Sequence, residues 1–153
     1  MAASISIAGP DDAEELTTAL QGLVPQLSRS NPPPPLAAVQ AMLAHQAITQ
    51  FVARDDSGAI VGVSTLAVFP IPTGQRAWVE DVIVDEASGG QGIGQRLTEA
   101  MLTRARELGC VTVDLTSRPS REAANRLYAR VGFERRETNV YRKVIGNTED
   151  DPS

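Results

Sequence analysis

The stretch that decides the fold is Trp78–Leu97, WVEDVIVDEASGGQGIGQRL. It reads as a β-strand, a short polar link, a loop carrying Gly89, Gly90, Gly92 and Gly94, and the opening of a helix. That order suits an anion cradle. The strand brings the backbone to a fixed point, glycines allow close approach, and a helix N-terminus presents unpaired N–H groups at a positive dipole end.

Downstream, Leu97, Ala100, Met101, Ala105 and Leu108 recur at helical spacing, and Gly109 closes the helix. Cys110–Thr116 reads as a strand with Val111, Val113 and Leu115 on one face. Strand, helix, strand in this order implies a right-handed crossover between parallel strands. Ser120 caps a further helix with the stripe Ala124, Leu127, Tyr128 and Val131, ended by Gly132-Phe133. One or two β segments are expected up to about Ile145, then a polar acidic tail at 147–153.

Upstream, Ser4–Ala8 alternates as a strand, and Pro10-Asp11-Asp12 opens a helix with the stripe Leu16, Leu20 and Leu23. The prolines 32–35 form a stiff connector to a second helix with Leu36, Val39, Leu43 and Ala47. His45 lies off that stripe and reads as a solvated residue. Thr49–Arg54 and Ala59–Phe69 flank the turn Asp55-Asp56-Ser57-Gly58. Pro70–Gly74 is expected to break the ladder before a strand from about Arg76 to Asp85. Three strands with short links imply an antiparallel meander.

The expected architecture is therefore α/β (an α+β mixed sheet). It has about six to seven strands, antiparallel in the N-terminal part, with a parallel crossover and about four flanking helices. One domain spans 1–146. A chain of 153 residues buries roughly two-thirds of its extended surface, enough for a core without staples. The lone Cys110 excludes an internal disulfide. Net charge is −5, and of 14 basic residues Lys143 is the only lysine, which argues against nucleic acid as a partner. A local exception is the basic run Arg118, Arg121, Arg126, Arg130, Arg135 and Arg136. No apolar stretch approaches the ~20 residues needed to span a bilayer, and no secretory signal is recognisable. A cytoplasmic location with no membrane partner is the expectation.

Three kinds of glycine loop compete for the cradle. A nucleotide P-loop needs lysine and a hydroxyl after its second glycine, where Gln95-Arg96 stand. A dinucleotide fingerprint needs its glycines at the strand-to-helix turn and a third for close packing. Here four residues separate Val84 from Gly89, and Leu97 follows where the third would fall. The remaining kind, G-x-G at a helix start after strand and link, suits the pyrophosphate of coenzyme A.

WVEDVIVDEASGGQGIGQRL together with SREAANRLYARVGF resembles the GCN5-related N-acetyltransferase (GNAT) superfamily over Trp78–Phe133. The loop departs from the family pattern at Gly89, where arginine or glutamine is usual. The resemblance implies a sheet splayed between the EDVIVD strand and the Val111–Leu115 strand, with acetyl-CoA in the opening and no metal. Pantetheine would pair with Val82, Ile83 and Val84, and pyrophosphate would sit on the N–H groups of Gly90, Gln91, Gly92, Ile93, Gly94 and Gln95. Many relatives carry an asparagine seven residues before the helical tyrosine; Arg121 stands there, and a salt bridge to a CoA phosphate is the alternative contact. A homodimer through the C-terminal strands is a further expectation of the resemblance.

Acetyl transfer to an amine sets its own demands. An alkyl ammonium of pKa ~10.4 is neutral in about one molecule in 2,500 at pH 7, so a base is needed. Glu80 and Asp81 are the candidates. Strand alternation puts Glu80 on the face of Trp78, Val82 and Val84, with Asp81 opposite. The resemblance, which often places an acid at or near this position, favours Glu80; a β-bulge would re-aim the side chains and reopen the choice. The resemblance gives Tyr128 the role of returning a proton to the CoA thiolate, although Tyr128 also belongs to the core stripe of its helix. Two functions follow: an N-acetyltransferase acting on a primary amine of a small-molecule or protein acceptor, or a non-catalytic acyl-CoA sensor.

Overall fold

The structure, a computed structural model, describes residues 3–146; the expected acidic tail at 147–153 lies outside the described residues. The chain runs β1 (Ser4–Ile7), α1 (Ala13–Leu27), α2 (Leu36–Ala44), β2 (Ile48–Arg54), β3 (Ile60–Ile71), β4 (Gly74–Val84), α3 (Ile93–Glu107), β5 (Val113–Asp114) and α4 (Glu122–Val131). Five strands form one sheet in the order β1-β2-β3-β4-β5. The first four pair antiparallel and β5 joins β4 in parallel, the mixed sheet that the sequence implies.

Both faces of the sheet are covered, so β2 and β3 read as apolar runs rather than as alternations. On one face, Ile93, Leu97, Met101 and Ala105 of α3 pack on Phe51, Ala53, Leu66, Val68, Ala77 and Val79. On the other, Leu16, Leu20 and Leu23 of α1 and Val39 of α2 pack on Val52, Val63 and Ile83. The apolar stripes of α1 and α3 thus fall where their spacing placed them. In α2, Ala47 lies beyond the helix end, and the exposed His45 accepts a hydrogen bond at Nδ1 from the Ala47 N–H at 3.1 Å.

Helix α3 lies close on β3 because Gly62 has no side chain. A Cβ there would sit 3.2 Å from Ile93 Cγ2, 3.3 Å from Leu97 Cδ1 and 3.4 Å from the Ala53 Cβ. Leu97 and Ala53 are fully buried and cannot swing away. Gly62→Ala should therefore lower the unfolding free energy by about 1–3 kcal/mol, read from the urea midpoint at unchanged slope.

Three segments differ from the sequence expectation. The β3–β4 ladder does not break at Pro70–Gly74 but continues through Pro70 opposite Gln75 and Ile71 opposite Gly74, turning at Pro72-Thr73. The β2 ladder has already ended at Ala67, so a proline without an N–H deprives no neighbour on that side. The strand expected over Cys110–Thr116 pairs only at Val113 and Asp114. Val113 and Leu115 pack beside the α3 cluster, but Val111 is 93% exposed and does not share their face. The β segments expected up to Ile145 are absent from residues 134–146, where Val140, Tyr141, Val144 and Ile145 lie exposed. A β-prone sequence becomes a strand only against a partner, and among the described residues none pairs there.

Candidate active site

The site begins where β4 loses its regular pairing. Val63 opposes Ile83 and Thr65 opposes Glu80, so Ser64 faces both Asp81 and Val82. This is a β-bulge, and Asp81 takes the left-handed backbone at φ 47°, the one positive φ among the described non-glycine residues. The bulge resets the parity of the strand. Val79 packs on the α3 side, and after the bulge so do Val82 and Val84, while Ile83 faces α1. Glu80 keeps company with Trp78, whose Nε1 donates to Glu80 Oε1 at 2.7 Å, but it no longer shares a face with Val82 and Val84. That part of the strict-alternation expectation is overturned.

On the other edge of β4, the parallel ladder ends at Trp78 opposite Asp114. Beyond that point β4 and the chain after β5 separate around a cavity of 110 Å³. Its walls include Glu80, Asp81 and Val82 from β4, Leu115 and Thr116 after β5, Arg121 and Tyr128 from α4, and Leu27 at the end of α1. The two candidate acids and the candidate tyrosine therefore meet in one cleft. Sequence reasoning did not find Leu27 or Thr116, which carry no motif and enter only through the fold.

Helix α4 presents Tyr128 to the cleft by a local device. Gly132 adopts φ 103° and ends the helix, and the Phe133 N–H turns back onto the Tyr128 carbonyl at 2.9 Å. The Phe133 ring then meets the Tyr128 ring edge-on, with centroids 5.8 Å apart. Tyr128 is only 8% exposed, and burial pushes its hydroxyl above the ordinary tyrosine pKa, opposed in part by the charge of Arg121. Asn125, one turn before Tyr128, is engaged elsewhere, donating from Nδ2 to the Arg118 carbonyl at 2.9 Å. Burial likewise raises the Cys110 thiol pKa, which disfavours its thiolate.

The glycine loop lies past the end of β4. Asp85 Oδ1 accepts from the Ala87 N–H at 3.2 Å, and Gln26 on α1 ties down the link by accepting from the Glu86 N–H at 3.0 Å. Gly92 caps α3 at φ 73°, and the first hydrogen bond of the helix runs from the Arg96 N–H to the Gly92 carbonyl at 3.1 Å. The backbone N–H groups of Gly90, Gln91, Gly92, Ile93, Gly94 and Gln95 have no partner among the described residues. These are the residues expected to form the cradle, and unpartnered N–H groups at a helix N-terminus suit an anion such as a pyrophosphate. Gly94 also allows close packing, since a Cβ there would lie 3.2 Å from Leu127 Cδ1 on α4. Arg96 donates to the Ala3 carbonyl, so it does not stand in for a P-loop lysine. Among the described residues no group of side chains is arranged to hold a metal ion. None of their helices is long and apolar enough to cross a membrane.

Comparison with known proteins agrees with this architecture. The profile of the Acetyltransferase (GNAT) family matches residues 16–133. A mycothiol acetyltransferase of Propionibacterium freudenreichii subsp. shermanii is 34% identical over 89 residues, 58% of this chain and 28% of that protein. The chain thus spans well under half of the length of that relative. Glucosamine 6-phosphate N-acetyltransferase 1 of Oryza sativa subsp. japonica is 28% identical over 130 residues, 78% of this chain and 77% of that protein. Among solved structures, a putative acetyltransferase from Agrobacterium tumefaciens str. C58 superposes with TM-score 0.79 at 28% identity, covering 92% of this chain and 99% of that one. The chain belongs to the acetyltransferase (GNAT) family.

Proposed function

We propose that the protein is an N-acetyltransferase that moves the acetyl group of acetyl-CoA directly to a primary amine. The observation that carries this reading is the cleft between β4 and β5, which gathers Glu80, Asp81 and Tyr128 beside a row of unpartnered N–H groups. A binding module needs the cradle alone. Acids and a tyrosine hydroxyl lining the same opening are what acyl transfer requires.

In this reading, Gly90–Gln95 hold the pyrophosphate, and the free edge of β4 at Val82, Ile83 and Val84 receives the pantetheine. Glu80, oriented by the Trp78 indole, takes a proton from the ammonium group of the acceptor, directly or through water. The amine nitrogen then bonds to the acetyl carbon, with a backbone N–H near Val82 supporting the oxyanion. The C–S bond breaks, and Tyr128 supplies a proton to the sulfur. The acceptor is an amine, small-molecule or protein, that reaches the cleft past Leu27 at the end of α1.

The test is release of CoA thiol with a panel of amines, beside thermal stabilisation by acetyl-CoA. Stabilisation plus thiol release with at least one amine supports the reading. Stabilisation without release from any amine would make the chain an acyl-CoA sensor, and the absence of both would overturn the cofactor assignment as well.

A further inference from the structure

The N-cap position of α4 falls on Arg121 rather than on the expected Ser120, and it carries no side-chain capping bond; Arg121 stands in the cleft wall with Tyr128, Glu80 and Asp81. Its guanidinium makes no ion pair and no side-chain hydrogen bond among the described residues. It is the single cation lining the cavity. The charged and titratable groups around Tyr128 can be taken element by element: β4 contributes the anions Glu80 and Asp81, α4 contributes Arg121, and the neighbours after β5 and on α1 are the uncharged Leu115, Thr116 and Leu27. A tyrosine that gives up its proton here becomes an anion in a buried place, and Arg121 is the charged group that acts on it. Without a nearby cation that state is strongly disfavoured.

We propose that Arg121 is a positioning residue for the proton-transfer step, pairing with the phenolate that Tyr128 becomes when its proton passes to the departing sulfur. This rests on the acetyl-transfer reading above. The C–S electron pair leaves with the sulfur, the Tyr128 O–H bond breaks, an S–H bond forms, and Arg121 offsets the charge left on the phenol oxygen. Tyr128 then recovers a proton from water, while the proton taken from the acceptor leaves by way of Glu80. The charge of Arg121 already opposes the effect of burial on Tyr128. An amide at this position would offer a dipole, whereas a guanidinium offers a permanent full charge.

Two measurements test the proposal. The chain has two tyrosines, so in a Tyr141→Phe background the ultraviolet phenolate titration reads Tyr128 alone. Tyr141 is 88% exposed and outside the cleft. Arg121→Gln should move that titration to higher pH, and Arg121→Lys should hold it near the parent; an unmoved midpoint in Arg121→Gln overturns the proposal. Kinetically, Arg121→Gln should lower kcat about tenfold with the KM for acetyl-CoA little changed. In a Tyr128→Phe background it should cost nothing further. Equal losses in both backgrounds, or a raised KM with kcat intact, would overturn it in favour of direct anchoring of a CoA phosphate. The transfer reading itself stands or falls on thiol release by the parent chain, so the two failures are distinct.

Discussion

Tyr128→Phe should lower kcat by about 10²–10⁴-fold, the range for loss of a positioned general acid, while thermal stabilisation by acetyl-CoA persists. The variant keeps the aromatic ring, and with it the edge-on contact to Phe133 and the place of Tyr128 in the core stripe. What it deletes is a hydroxyl with no hydrogen-bond partner among the described residues, so the urea midpoint should hardly move. A purely structural tyrosine would show neither the kinetic loss nor its pH signature. In the proposed mechanism the acid form of Tyr128 is the active one, and burial raises its pKa, so kcat should fall as pH rises through a value above that of free tyrosine. That alkaline limb should vanish in Tyr128→Phe. Linkage gives the same sign for stability. A group that holds its proton more tightly when folded contributes stability below the unfolded pKa of ~10, and this is lost as pH climbs through the folded value. Unchanged turnover in Tyr128→Phe would remove the tyrosine from the mechanism and leave thiolate protonation to water.

Much of the scaffold is legible in the sequence because local chemistry and tertiary packing agree. Leu16, Leu20 and Leu23 of α1 are all buried, as their spacing requires. The ending Leu127-Tyr128…Gly132-Phe133 can be read residue by residue. Leu127 leans on Gly94, Tyr128 faces the cleft, Gly132 supplies the left-handed stop, and Phe133 closes on the tyrosine. The glycine loop is legible for the same reason, since positive φ at Gly90 and Gly92 is a demand that glycine answers locally. The acetyltransferase family follows from these stretches together, and the family match over 16–133 agrees.

What was not legible depends on pairing between distant strands. Val111, Val113 and Leu115 alternate well, yet of the three only Val113 joins the ladder: Leu115 falls beyond Trp78, where β4 parts from its neighbour, and Val111 precedes the two paired residues. The Val140–Ile145 run has the composition of a strand and, among the described residues, no partner to make it one. Pro70 reads as a breaker, but it stands where β2 has already ended. Arg121 shows most plainly where the sequence falls short: its departure from the family asparagine is visible in the sequence, but its place in one cavity lining with Glu80 and Asp81 appears only in three dimensions.

Deleting Asp81 should separate stability from function. With Asp81 removed, Glu80 is followed by Val82, and Ser64 faces one residue instead of two. Val79, Val82 and Val84 then alternate regularly toward α3, while Glu80 and Ile83 take the opposite face, so every core residue of β4 keeps its side. The ladder heals, and a non-glycine residue at φ 47° disappears. The relief of that left-handed backbone is worth about 1–2 kcal/mol, so the deletion should unfold at the same urea concentration as the parent or a higher one. Turnover should nevertheless fall by about 10²-fold or more, because the bulge aims the backbone of Val82 and the acids at the mouth of the cleft. Loss of stability matching the loss of activity would mean that the bulge is required for folding. A stable deletion that still turns over would mean that it is dispensable to the chemistry. A stable, folded chain with a ruined cleft is the expected result, since the irregularity in β4 adds nothing to the core that a regular strand would lack.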